Sequence, residues 1–142
     1  MKLMLVDDQV LIRNGIVSLL RAHGHEVVGE AGDGKEALPR LGQISPDLIL
    51  MDIRMPGMNG LEATCLIKVR YPDTKIVMLT VSNDENDLFE AVKSGAHGYL
   101  LKDLEASQFF EALDAIDRGE AVISARLAGN LLHEFRAGAR QV

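Results

Sequence analysis

The sequence predicts an α/β fold, a doubly wound parallel sheet with helices on both faces. Three observations carry this. Short apolar runs (Leu3–Val6, Leu48–Met51, Lys75–Thr80) alternate with longer segments of helical periodicity. Several of these runs are apolar at consecutive positions, as in strands covered on both sides. The connections are short, so right-handed crossovers are the default. The 142 residues are 47% hydrophobic, which suits one domain with a sizeable core and excludes a disordered chain. Only 4% are aromatic and none is Trp, so that core must be built from Leu, Ile, Val, Ala and Met.

In chain order, Leu3 to Val6 reads as a strand, and Gln9 to Ala22 as a helix with Val10, Ile16, Val17 and Leu20 near one face. His25 to Ala31 is a second strand, ending in the turn Gly32-Asp33-Gly34. The helix expected over Lys35 to Leu41 contains Pro39, which removes a backbone hydrogen bond at a cost of ~3 kcal/mol, so it should be short, kinked or restarted. Pro46 precedes a third strand, Leu48 to Met51. A third helix, Leu61 to Arg70, stops at Tyr71-Pro72-Asp73. Lys75 to Thr80 is the fourth strand, Asp84 to Ser94 the fourth helix with Gly95 as its stop, and His97 to Leu101 the fifth strand. Glu105 to Arg118 is the fifth helix, closed by Gly119. Residues 1–120 thus form one unit. In residues 121–142, Ala128, Leu131, Leu132 and Phe135 follow the spacing of one helix face, predicting an amphipathic extra helix, and AGARQV reads as a fraying end or the start of a linker.

The net charge of −6 and a pI near 5.1 argue against a nucleic-acid surface as the main role and permit a divalent cation site. A single cysteine, Cys65, allows no intrachain disulfide and fits a reducing compartment. The apolar run at the N-terminus is too short for a signal peptide, and no segment approaches the ~18 apolar residues of a membrane span. The expectation is a soluble, cytoplasmic protein without a membrane partner. His23, His25, His97 and His133 have no metal-ligand spacing and read as solvated or structural. Cys65 reads as a packing residue on the third helix, and the methionines other than Met55 as core filler.

In open parallel α/β sheets, ligands bind outside the carboxyl ends of the strands. Strand one ends in Asp7-Asp8, strand three in Asp52, strand four in Thr80, and strand five runs into Lys102. Each has an ordinary role open to it: a helix cap for the aspartate pair, a loop position for Asp52, β-propensity for Thr80, solvation for Lys102. Together they place three carboxylates, a hydroxyl and an ammonium on one edge. Clustered carboxylates need a countercharge, which a hard cation such as Mg²⁺ supplies. A carboxylate can also attack phosphorus to give an aspartyl phosphate, with the metal and ammonium neutralising the transferring group.

The segments MLVDDQVLIRNGI, LILMDIRMPGMNGLE, IVMLTVSND and GAHGYLLKDL, in that order and spacing, resemble the receiver domain of bacterial two-component response regulators over roughly residues 1 to 120. The resemblance implies a flavodoxin-like five-stranded sheet of order 2-1-3-4-5, an order that comes with the family and is not deduced from spacing. It implies Asp52 as phosphoacceptor, Asp8 as direct Mg²⁺ ligand with Asp7 acting mainly through water, and the Arg54 backbone carbonyl as a further ligand. Lys102 would pair with a phosphoryl oxygen, Thr80 would be the switch hydroxyl and Tyr99 the aromatic that reorients with it. The implied partners are a sensor histidine kinase, a possible homodimer, and DNA through a C-terminal domain outside this chain; the readout surface would be the fourth helix, fifth strand and fifth helix, or a dimer contact near the first and fifth helices. GYLLKDL and the amphipathic tail after GEAVIS are similar to the LuxR/NarL-type transcriptional regulators, which carry a C-terminal helix-turn-helix domain. A cut chain is therefore expected in preference to a stand-alone receiver.

The sequence departs from the pattern in four places. Asp103 follows the lysine where many receivers have proline, so a cis bond there is not assumed. Arg54 and Ser82 stand two residues past Asp52 and Thr80, positions that in the family tune hydrolysis of the aspartyl phosphate. Arg54 is expected to screen the attacking water or pair with the phosphoryl group. Pro39 bears on local structure alone. Three other functions compete: a phosphorylation-independent interaction module, a flavodoxin-like cofactor protein and a haloacid-dehalogenase-type phosphohydrolase. The first has no need to keep all five site residues. The second requires a glycine- and hydroxyl-rich phosphate loop where Asp7-Asp8-Gln9 stands. The third requires a second aspartate at position 9, which is Gln.

Overall fold

Aliphatic strands without internal polar residues must be covered on both sides, and the chain does this by alternating them with helices. The structure, a computed structural model, describes residues 1–81, 84–123 and 125–140, leaving out the side chains of residues 85, 125, 126, 130, 131, 134, 139 and 140. Its elements are β1 (Lys2–Val6), α1 (Val10–Ala22), β2 (Glu26–Ala31), α2 (Gly34–Leu41), β3 (Leu48–Met51), α3 (Gly60–Arg70), β4 (Lys75–Thr80), α4 (Glu85–Lys93), β5 (Gly98–Leu101), α5 (Ala106–Asp117), β6 (Val122–Ile123) and α6 (Ala125–Arg140). The strands lie in the order β2-β1-β3-β4-β5-β6, all parallel.

Side-chain alternation sorts the strands into two cores. Met4, Val6, Ile49, Met51, Ile76, Met78 and Tyr99 face α2, α3 and α4. Leu3, Leu5, Leu48, Leu50, Val77, Leu79 and Leu100 face α1 and α5, where Val17, Leu20, Phe109, Leu113 and Ile116 meet them. Three helices start on polar caps: the side chains of Asp33, Asn59 and Asp84 accept from the backbone N–H of Glu36, Glu62 and Asn86. Such caps are each worth about 1 kcal/mol. At the carboxyl edge β1, β2 and β3 end in one row, and β4 and β5 run two residues further. Val6 pairs with Ala31 and Met51, Met51 with Met78, and Thr80 with Leu101.

Several expectations need correction. The sheet has a sixth strand. Val122 and Ile123 pair with Gly98 and Tyr99, and the Val122 N–H donates to the His97 carbonyl at 3.2 Å. Two residues are too few to show a period in sequence, but they shield what would be a bare edge on β5. The extra helix is present as α6, yet its anchor is Leu127, fully buried beside Leu88, Ala91 and Tyr99. Leu132 and Phe135 are exposed, and the side chain of Leu131 lies outside the described residues. The helical period was correct, but packing on α4 selects the face. On α1, Val17 and Leu20 are buried, whereas Val10 is 56% exposed because it starts the helix beyond the sheet edge. Cys65 is exposed, with Sγ 3.3 Å from the Ser94 hydroxyl. Pro39 lies inside α2, which is short and ends two residues later. Among the described residues no peptide bond is cis, Lys102–Asp103 included.

Candidate functional site

Parallel strands bring residues remote in sequence to one edge. Asp7 follows β1 directly, and its N–H donates to the Ala31 carbonyl at 3.0 Å. Asp52 follows β3, with its N–H on the Val6 carbonyl at 2.9 Å. Lys102 follows β5, with its N–H on the Thr80 carbonyl at 2.8 Å. Each of these backbone bonds extends the ladder by one residue and aims a side chain over the edge.

There the Lys102 ammonium donates to Asp7 Oδ2 at 2.7 Å and to Asp52 Oδ2 at 3.1 Å. Asp7 Oδ1 accepts from the Gln9 N–H at 2.9 Å. Asp7 and Asp52 are buried and Asp8 is exposed, with one carboxylate oxygen from each of the three within 4.8 Å of the others. Burial pushes the Asp52 carboxyl above its usual range; Lys102 opposes this, and Asp7 adds to it. For Lys102, burial is the largest single influence and favours the neutral amine. The hydrogen bonds and charges of Asp7 and Asp52 outweigh it, so the ammonium is held above its usual range. Three carboxylates against one ammonium leave uncompensated negative charge on an all-oxygen donor set. That chemistry suits a hard divalent cation, which Asp8 and Asp52 could hold directly.

Thr80 is buried at the end of β4. Tyr99 is 1% exposed and packs in the core beneath α4. Arg54 lies in the loop after Asp52, but its guanidinium turns to α4, where Nη2 donates to Asp87 Oδ2 at 2.7 Å. Ser82 lies outside the described residues.

Three contributors were not read from the sequence. Arg13 donates from Nη1 to the Asp7 carbonyl at 2.6 Å and from Nε to Glu30 at 3.2 Å, tying β1, β2 and α1 below the acidic pair. A cation near a helix N-terminus opposes the helix dipole, and that mismatch was the available signal. Gly60 is the second. A Cβ there would stand 2.0 Å from the Asp52 carbonyl oxygen, so α3 docks directly on the backbone of Asp52. Asp87 is the third, and nothing local marks it.

The sequence profile described as the response regulator receiver domain matches residues 3–114. The chain belongs to the response regulator receiver domain family. The receiver is 38% identical over 136 residues to the transcriptional regulatory protein DegU of Brevibacillus brevis, covering 95% of this chain and 58% of that protein. It is 40% identical over 136 residues to the nitrate/nitrite response regulator NarL of Escherichia coli (strain K12), covering 95% and 63%. The receiver therefore spans about three-fifths of the length of these relatives. Among solved structures, it superposes on a LuxR-family two-component response regulator from Aurantimonas sp. SI85-9A1 with a TM-score of 0.88 at 31% identity, covering 94% of this chain and 96% of that one. The receiver domain of a NarL response regulator from Mycobacterium tuberculosis gives 0.78 at 32% identity, covering 84% and 97%. These relatives are signalling proteins, not metabolic enzymes. Among the described residues, no helix is long and apolar enough to cross a membrane.

Proposed function

We propose that this receiver accepts a phosphoryl group on Asp52 from a sensor histidine kinase and converts it into a conformational change that controls transcription. The supporting observation is the Asp52 carboxylate itself, buried at a strand end and 3.1 Å from the Lys102 ammonium, with Asp7 and Asp8 grouped beside it. In the transfer, an Asp52 carboxylate oxygen attacks phosphorus. The bond to the donor nitrogen of the kinase phosphohistidine breaks, and its electron pair leaves with the imidazole. The product is the aspartyl phosphate.

Asp8, Asp52 and the Arg54 carbonyl would hold Mg²⁺, with Asp7 acting through water, since both Asp7 oxygens already have partners. The ion, when bound, supplies positive charge that keeps Asp52 ionised and offsets charge on the phosphoryl oxygens. Lys102 swings its ammonium from Asp52 to a phosphoryl oxygen. Thr80 binds another, and Tyr99 follows Thr80. Residues 1–120 are the phosphoacceptor unit, and residues 121–142 carry the signal onward to an output that controls transcription, as the name of the DegU relative suggests.

A homodimer through α1 fits the same reading. That helix shows Val10, Leu11, Ile12 and Leu19 to solvent, beside an apolar pocket of about 140 Å³ shared with Leu104 and Phe109. The test is intact-protein mass after incubation with Mg²⁺ and acetyl phosphate. A single phosphoryl adduct is expected, lost in Asp52→Asn and on chelation, with light scattering reporting a dimer. A wild type that takes no adduct would overturn the reading in favour of a phosphorylation-independent interaction module.

A further inference from the structure

The start of α1, beside the acidic pair, is poorly built as a helix end. Its cap Gln9 makes no side-chain hydrogen bond, and its first turn holds no acidic residue. A cation, Arg13, stands there instead and opposes the positive end of the helix dipole. Helix stability therefore gives no reason for Arg13. Its side chain is only 18% exposed and reaches away from α1 to the strand ends. Nη1 donates to the Asp7 carbonyl at 2.6 Å and to the Ala31 carbonyl at 3.4 Å, and Nε donates to Glu30 Oε1 at 3.2 Å. One guanidinium thus spans the ends of β1 and β2.

The Asp7 carbonyl belongs to the peptide that joins Asp7 to Asp8. That peptide is planar, so holding its oxygen holds the plane from which the Asp8 Cα leaves. The Asp7 side chain has its own supports, the Gln9 N–H and the Lys102 ammonium. The Asp8 side chain is exposed, and among the described residues no hydrogen bond holds its carboxylate. Its direction is therefore set through its backbone.

We propose that Arg13 is a positioning residue for Mg²⁺ binding: by holding the Asp7 carbonyl it aims the Asp8 carboxylate at the cation, and Glu30 keeps the guanidinium in that place. The proposal rests on the reading of Asp7, Asp8 and Asp52 as the Mg²⁺ site. A planar fork serves two strand ends and a carboxylate at once, which the point charge of a lysine cannot match. Mg²⁺ tolerates little departure from octahedral geometry, so an error in the aim of a direct ligand is felt as affinity. Charge and aim act here in opposite senses. Arg13 is a cation close to the acidic pair, so on charge alone its removal would tighten Mg²⁺ binding. Because it aims Asp8, its removal weakens that binding.

Calorimetric titration of MgCl₂ into wild type, Arg13→Ala and Arg13→Lys, without phosphodonor, reads the affinity directly. Urea midpoints in chelator report folding, and intact mass follows phosphorylation by acetyl phosphate across Mg²⁺ concentrations. Arg13→Ala should weaken Mg²⁺ binding about tenfold, as loss of a group that supports a metal ligand does. Arg13→Lys, which keeps the charge and loses the fork, should weaken it roughly threefold. The Mg²⁺ concentration for half-maximal phosphorylation should rise by the same factors, while the rate at saturating Mg²⁺ stays within about twofold of wild type. A merely structural role would lower the urea midpoint and leave the affinity unmoved. If wild type binds Mg²⁺ and Arg13→Ala binds it equally or more tightly, the positioning role is overturned and the metal site stands. Should Arg13→Ala fail to fold, wild-type affinity in Arg13→Lys overturns the role in the same way. A wild type that binds no Mg²⁺ overturns both.

Discussion

Replacing Gly60 by alanine sets helix propensity against tertiary fit. Gly60 is the first residue of α3 after its cap Asn59, and its N–H donates to the Ile53 carbonyl at 2.9 Å. In an isolated helix, alanine in place of glycine would gain up to about 1 kcal/mol. Here the new Cβ would lie 2.0 Å from the Asp52 carbonyl oxygen, 2.8 Å from its carbon and 3.0 Å from Ile53 Cα. All three are backbone atoms, so no rotamer change relieves the clash. The start of α3 or the end of β3 must move more than an ångström. Overpacking of this kind costs about 3 kcal/mol at the upper end of its usual range, leaving a net loss of about 2 kcal/mol after the propensity gain. The urea midpoint should fall by roughly 1 M, and the melting temperature by about 6 °C. Gly15→Ala in α1 is the control. Nothing lies within 4 Å of its added Cβ, so it should gain about 0.5–1 kcal/mol. A Gly60→Ala protein with a midpoint at or above wild type would refute the docking of α3 on the Asp52 backbone.

Three further outcomes follow from the same structure. Pro39→Ala should stabilise by about 2 kcal/mol, since the exposed proline interrupts α2 and the entropy it removes from the unfolded chain offsets only part of that; an unchanged urea midpoint would count against it. Lys102→Ala, measured in chelator, should cost about 3 kcal/mol by leaving buried Asp7 and Asp52 without their ammonium, and adding Asp52→Asn should recover part of that loss. Strict additivity of the two would contradict the shared cluster. Burial holds the His97 imidazole below its usual range, with Lys68 and Lys75 adding to the effect, and its Nδ1 accepts from the Ile76 N–H at 3.3 Å. In the window just below the ordinary value of 6.5, the unfolded chain takes up a proton that the folded one refuses. Stability should therefore be full above that value and fall as pH drops through the window, with His25 acting in the same direction. His97→Asn should flatten the dependence of unfolding free energy on pH, and an unaltered slope would exclude His97 as its source.

The sequence by itself determined the alternation of strands and helices, and with it which polar residues end the strands. The bounds of β3 and β4 stand where the apolar runs stand, because a strand covered on both faces cannot hide a polar residue before its end. Asp7, Asp52, Thr80 and Lys102 were legible as a set because the strands of a parallel sheet all end at the same edge. Only the tertiary structure decided what depends on contacts between distant segments. The Lys102–Asp7 ion pair spans 95 positions and Arg54–Asp87 spans 33, and no local period or propensity encodes either partner. The same holds for Leu127 as the anchor of α6, where helical spacing offers several faces and the packing on α4 takes one. It holds for β6, two residues long, which exists because β5 presents an edge. Gly60 is an ordinary turn glycine in sequence. It becomes indispensable only where α3 comes down on the carbonyl of Asp52, a contact set by the crossover of β3 into α3 over the sheet.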